Sequence, residues 1–203
     1  MKTILFQGDS ITDVGRQREE ATEMGRGYPL FISAHMGFEH PGEYAFLNRG
    51  VSGDRIVDVY ARIKIDIINL KPDVMSLLIG INDVWSEISR QNGVGAEKFE
   101  RLYDMLLTEV RQALPDIRLL LLEPFVLKGT ATEAAFDTFK KETPLRSAAV
   151  KRLAKKHGAV FVPLQAAFDE AAGKAPPDVW LWDGVHPTSA GHEIIKREWL
   201  KAF

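Results

Sequence analysis

The sequence predicts a three-layer α/β/α fold on a five-stranded parallel sheet, and three observations carry that prediction. Short apolar runs alternate with longer segments whose apolar residues recur at helical spacing. Strands that alternate with helices imply a parallel sheet covered on both faces. The chain also has 203 residues, 45% of them hydrophobic, which suits a single domain over residues 1–203 with a substantial core.

The elements follow in order. A first strand covers about Thr3 to Phe6 and runs into Gly8-Asp9-Ser10. Residues 13–27 are polar and charged, and a solvated loop is expected there, Asp13 and Arg16 included. Tyr28 to Phe38 reads as a helix and Tyr44 to Leu47 as a short strand that ends in Asn48-Arg49-Gly50. Ile56 to Leu70 carries apolar residues at helical spacing, with Asp54 as its N-cap, and Pro72 stops it. Val74 to Ile79 is a buried strand that ends in Gly80. Ala96 to Leu114 is an amphipathic helix ending before Pro115, and Ile117 to Leu122 is the fourth strand. The stretch 124–140 is expected to be a long loop, which in a compact domain points to function. Thr143 to His157 is helical and closed by Gly158, with His157 a C-terminal charge partner. Ala159 to Val162 is the last strand, a short helical stretch follows, and a final helix spans about Ser189 to Leu200.

Composition narrows the function. A formal net charge of -2 gives no electrostatic case for nucleic acid or an anionic membrane as partner. No cysteine is present, so disulfides and thiolate metal sites are excluded. No apolar run reaches membrane-span length, and the few apolar residues after Lys2 are too short for a signal peptide, so the cytoplasm is the expected location. Neither a phosphate-binding G-x-x-x-x-G-K-[ST] nor a G-x-G-x-x-G follows the first strand, and no cofactor is expected. His186, His192 and Asp183 complete no standard metal motif, so no metal is expected either.

In an open parallel sheet, ligands bind beyond the carboxyl ends of the strands. There this chain carries "GDS" (8–10), "NRGVSGD" (48–54), "GIND" (80–83) and, after the fifth strand, "WDGVHP" (182–187). Together they offer a hydroxyl, flexible glycines, an amide, and a carboxylate three residues before an imidazole. Each alone is a common turn, cap or surface pair; as a set they are the parts of an acyl-transfer site. Ser10 is the candidate nucleophile, inert until a base takes its proton. His186 is the candidate base, since histidine ordinarily titrates near ~6.5. Asp183 would hold the imidazole in one tautomer and stabilise the imidazolium. The Ser10 and Gly53 backbone N–H groups and the Asn82 amide are candidate oxyanion donors. Asp9 is expected to fix its own turn by hydrogen bonds to nearby N–H groups, and is carried also as a substrate contact. Arg55 could meet a polar substrate, with capping or surface pairing as its ordinary alternative.

These residues resemble the SGNH hydrolases, also called GDSL-type esterases and lipases. The Ser, Gly, Asn and His of that family's four blocks fall on Ser10, Gly53, Asn82 and His186, and Asp183 matches its acid. The resemblance spans nearly the whole chain and implies a flavodoxin-like sheet. "GDSITD", "IGINDVW", "QAAF" and "WDGVHPTSAGH" are similar to the bacterial branch that deacetylates xylo-oligosaccharides, cytoplasmic serine esterases that need no metal. That likeness implies a small-molecule ester substrate, an acetylated oligosaccharide, and Trp85 and Trp182 shaping the acetyl or sugar site. Together with the tryptophans it points to a homo-oligomer. Position 11 is Ile where many family members have Leu, an apolar exchange that leaves the site assignment intact; residues 124–140 match the branch poorly. The rival readings are a lysophospholipase or thioesterase acting on longer acyl chains, and a non-catalytic carbohydrate-binding module that keeps the fold.

Overall fold

The computed structural model describes all 203 residues. Five strands form one sheet: β1 (Lys2–Gly8), β2 (Tyr44–Asn48), β3 (Val74–Leu78), β4 (Arg118–Leu122) and β5 (Val160–Val162). Their order is β2-β1-β3-β4-β5, and all four neighbouring pairs are parallel. The helices are α1 (Ser10–Asp13), α2 (Tyr28–Glu39), α3 (Ile56–Ala61), α4 (Ile63–Asp66), α5 (Ile81–Arg90), α6 (Ala96–Ala113), α7 (Phe136–Lys156), α8 (Gln165–Ala172) and α9 (Ser189–Ala202). No helix is long and apolar enough to cross a membrane.

Successive residues of a strand point to opposite faces, so an all-apolar run can feed two cores at once. Ile4 and Phe6 of β1, Leu78 of β3 and Leu120 of β4 join one core with Ile32 of α2, Phe168 of α8 and Trp199 of α9. Leu5, Leu77 and Leu121 join the other with Val59 of α3, Leu106 of α6 and Val150 of α7. Ser76 is the polar exception on the first face, and its Oγ accepts the buried Trp199 indole N–H at 3.0 Å.

The chain leaves β1 toward β2 on one side and then crosses to β3 on the other. That reversal opens a crevice at the carboxyl ends of β1 and β3, where ligands of open α/β sheets sit. Gly8 makes the turn out of β1 feasible: a Cβ there would lie 2.4 Å from both the Leu78 carbonyl oxygen and Thr12 Oγ1.

Several elements depart from expectation. The helix expected over 56–70 is three short pieces, α3, α4 and a 3₁₀ turn at Ile68–Leu70. Its cap is Arg55 rather than Asp54: the Arg55 N–H donates to Asp58 Oδ2 at 2.9 Å, while the Asp54 carboxylate pairs with Arg62. Helix α5 was not anticipated, because its first residues read as a strand-end cluster. Helix α7 starts seven residues before the expected Thr143 and takes Pro144 into its interior. The expected 124–140 loop therefore shrinks, and it is anchored: Phe125, Val126 and Phe139 are buried in the first core. Residues 17–22 are exposed as expected, but both ends of the 13–27 stretch are anchored. Asp13 is buried, and Asn48 donates its side-chain amide to the carbonyls of Thr12 and Met24 at 2.7 and 2.9 Å.

Candidate active site

Ser10 follows the β1 turn at the first position of α1. Asp9 is the N-cap, its Oδ1 accepting the Ile11 N–H at 2.9 Å. The cap bond falls on Ile11, which leaves the Ser10 N–H uncommitted. Ser10 Oγ lies 2.9 Å from His186 Nε2, across 176 positions of sequence. His186 Nδ1 lies 2.7 Å from Asp183 Oδ2. An ionised carboxylate only accepts, so Nδ1 carries the ring proton and Nε2 is left to accept from the serine hydroxyl.

The Asp-x-x-His spacing explains this geometry. Asp183 Oδ1 accepts the N–H groups of Val185 at 2.9 Å and His186 at 2.8 Å, so one carboxylate folds the turn and orients the ring. Burial works to raise the Asp183 pKa, but the hydrogen bonds from the His186 ring and these two N–H groups bring it below the ordinary carboxylate value. The turn is braced from outside by residues 127–132. Leu127 N–H donates to the Gly184 carbonyl at 2.9 Å and Ala131 N–H to the Asp183 carbonyl at 3.0 Å. Gly129 packs so closely that a Cβ would lie 2.4 Å from the Asp183 carbonyl carbon. This brace was invisible in the sequence, since its bonds are from backbone groups.

Asn82 opens α5, and its Nδ2 donates to the Asp54 carbonyl at 3.0 Å. That bond holds the amide and leaves its second N–H free. The loop carrying Gly53 is tied by Asp13 Oδ2, which accepts both the Ser52 N–H and the Ser52 hydroxyl at 3.0 Å. Burial would raise the Asp13 pKa, yet the Arg18 guanidinium and the Ser52 bonds hold it below its ordinary value. Residues expected to be solvated thus fix the loop that bears the Gly53 N–H.

A cleft of about 350 Å³ gathers these groups, lined by Ser10, Ser52, Gly53, Asn82, Trp85, Ser86, Ser89, Arg90 and His186. Trp85 lines it as expected, with its ring 5.8 Å from the His186 ring. Trp182 is 58% exposed and also stacks on the imidazole, centroids 5.4 Å apart and planes 18° apart. Trp199 belongs to the core.

Three residues weighed as substrate contacts, Asp9, Arg55 and Trp182, are not among those lining this cleft. Asp9 is buried and does not line the cleft; burial pushes its pKa up to about 7, against the Ile11 bond and the charge of His186 that favour ionisation. Arg55 also lies outside the lining, committed to Asp58 through Nε at 2.9 Å and to the Asn92 carbonyl. Sequence reading missed Ser86, Ser89 and Arg90. Once α5 is known to be a helix, their three- and four-residue steps from Asn82 and Trp85 place them on one face. His192, weighed as a metal ligand, instead accepts the Tyr28 N–H on Nδ1 at 3.1 Å, and burial pushes its pKa down to about 4.

With this geometry in hand, comparison with known proteins gives concordant matches. The profile of the GDSL-like lipase/acylhydrolase family matches residues 6–194. An acetylxylan esterase of Geobacillus stearothermophilus is 33% identical over 207 residues, spanning 98% of this chain and 92% of that protein. The crystal structure of Axe2, an acetylxylan esterase from the same organism, superposes with a TM-score of 0.88 at 31% identity, covering 99% and 93% of the two chains. Variants of that esterase described as catalytic mutants change a serine, an aspartate and a histidine. A GDSL-like protein of Parabacteroides merdae superposes with a TM-score of 0.95 at 33% identity, covering 99% and 94%.

Proposed function

The chain belongs to the GDSL-like lipase/acylhydrolase family and is a carboxylic ester hydrolase, and on that premise we propose that it removes acetyl groups from oligosaccharides of the xylan type by a Ser10–His186–Asp183 triad. The observation that carries the mechanism is the unbroken chain of bonds from Asp183 through His186 to Ser10, at 2.7 and 2.9 Å. His186 Nε2 takes the Ser10 proton as Oγ attacks the acetyl carbonyl. The developing oxyanion is met by the Ser10 and Gly53 N–H groups and the free N–H of Asn82. His186 then protonates the departing sugar oxygen and leaves an acetyl-enzyme. Water, deprotonated by the same ring, attacks that ester; acetate departs as Ser10 regains its proton. Throughout, the depressed pKa of Asp183 keeps the carboxylate ionised beside the imidazolium.

The substrate class rests on the cleft wall and on the resemblance to an acetylxylan esterase. Of nine lining residues, Trp85 alone is hydrophobic. A long acyl chain would gain little apolar contact there, whereas the hydroxyls of Ser52, Ser86 and Ser89 beside the nucleophile, with the Asn82 amide, suit a sugar. This favours a short acyl group on a polar alcohol over a lysophospholipase or thioesterase role.

The test is Ser10→Ala with a substrate panel. The variant is expected to lose turnover of 4-nitrophenyl acetate by about 10⁴-fold or more while unfolding cooperatively like the parent. Wild type should deacetylate acetylated xylo-oligosaccharides, and with 4-nitrophenyl esters its kcat/KM should fall from acetate to octanoate. Wild-type-like activity in Ser10→Ala removes the nucleophile assignment; rates rising with acyl length remove the acetyl-sugar reading.

A further inference from the structure

The active-site cleft holds a cation that the ester chemistry does not use. Arg90 ends α5 and lines the cleft, yet it takes part in no ion pair or hydrogen bond with the protein. Its natural helical partner is Glu87, three residues back. That carboxylate is turned away to accept the Gly93 N–H at 2.9 Å. No acidic side chain lines the cleft, and the nearest carboxylates are already engaged, Asp183 by His186 and Asp13 by Arg18 and Ser52. An unpaired guanidinium in a cleft with no acid on its walls attracts anionic ligands and presents a planar fork that fits a carboxylate.

We propose that Arg90 is a specificity-determining residue that receives a carboxylate borne by the substrate, so that the preferred esters are acetylated oligosaccharides carrying an acidic sugar. The proposal rests on the acetyl-sugar reading above and narrows it. The helix sets the spacing: Arg90 is eight residues beyond Asn82, an axial rise of ~12 Å. The carboxylate therefore belongs to a sugar unit other than the one whose acetyl group sits at the oxyanion donors. Between the two ends, Ser86 and Ser89 offer hydroxyls along the same face. Arg90 acts on binding of the remote part of the substrate, and no step of the acyl transfer runs through it.

Calorimetric binding of two unacetylated xylo-oligosaccharides of equal length, one bearing a uronic acid and one neutral, tests this independently of turnover. Wild type is expected to bind the acidic sugar about five- to tenfold more tightly, the range for a charge-assisted bidentate contact in a partly open site. The preference should vanish in Arg90→Gln, persist in part in Arg90→Lys, and shrink with added salt. Equal affinities in wild type, or a preference that survives in Arg90→Gln, overturns the proposal. Hydrolysis of the acetylated versions of both sugars is followed in parallel. A carboxylate preference without deacetylation of either sugar would leave Arg90 as the recognition residue and refute the acetyl-sugar reading instead.

Discussion

Asp9 offers the sharpest quantitative test, because it is a fully buried carboxyl group with one oxygen unpartnered. Oδ1 accepts the Ile11 N–H, but Oδ2 has no hydrogen-bond partner. Burial raises its pKa from 3.8 to about 7. Between those values the folded protein holds a proton that the unfolded chain has released, so stability falls as pH rises through the interval. A shift of three units costs about 4 kcal/mol once pH exceeds 7. Asp9→Asn keeps an oxygen for the Ile11 N–H and removes the ionisable group. Urea unfolding of both proteins from pH 4 to 8.5 is the assay, read as the difference between them. Near pH 4 any gap reflects packing alone; by pH 8 it should have moved by about 4 kcal/mol in favour of the variant. The difference is the right readout because His192 works in the opposite direction. Its pKa is depressed from 6.5 to about 4, so its contribution is present above pH 6.5 and is lost as pH falls through about 4. The two groups offset each other in the raw wild-type curve, and subtraction removes His192. A gap that stays constant with pH, or moves against the variant, refutes the reasoning. The Asp9 carboxylate is itself favoured by a positive His186, so the stabler variant should also be slower in acylation.

Other outcomes follow from the site. Asp183→Asn keeps two backbone bonds but turns an amide toward Nδ1, favouring the wrong tautomer; kcat on 4-nitrophenyl acetate should fall by about 10⁴ with the fold retained by circular dichroism. Asn82→Ala removes one oxyanion donor and should lower kcat by about 10²–10³ with little change in KM. Gly129→Ala forces a methyl group to within 2.4 Å of the Asp183–Gly184 backbone; kcat should drop while the fluorescence of the four tryptophans stays native-like, and an unchanged kcat would show that the brace does not position the acid.

The layout was legible where chemistry and periodicity agree. Strands β3 and β4 show as mostly apolar runs because each feeds two cores, broken only by Ser76 within β3 and Arg118 at the start of β4, and three of the four polar clusters stand out because each ends such a run. Ser10, Gly53, Asn82, Asp183 and His186 could be picked on residue type alone, and the structure brings their chain segments to one cleft. Helix α5 was hidden because Gly80-Ile81-Asn82-Asp83 carries a turn composition at a helix start, and with it went Ser86, Ser89 and Arg90. Helix α7 was cut short because Pro144 looks like a helix entry, yet packing of Phe139 against the core extends it toward the N-terminus. Asp9 fixes its own turn and Arg55 caps and pairs, as local chemistry suggests; Asp13 read as solvated, and its burial was set by a loop crossing to Ser52 that sequence distance conceals.

The 176 positions between Ser10 and His186 also bear on how the protein is made. On the proposed triad, the nucleophile follows β1 and is synthesised long before its base, which comes with the turn preceding α9. Trp199 of that helix must still dock beside Phe6, and His192 must meet Tyr28, before the last layer is seated. On the proposed triad, a nascent chain therefore carries a serine that cannot yet attack, and the ability to cleave an ester reports that the β1 turn and the segment before α9 have found each other.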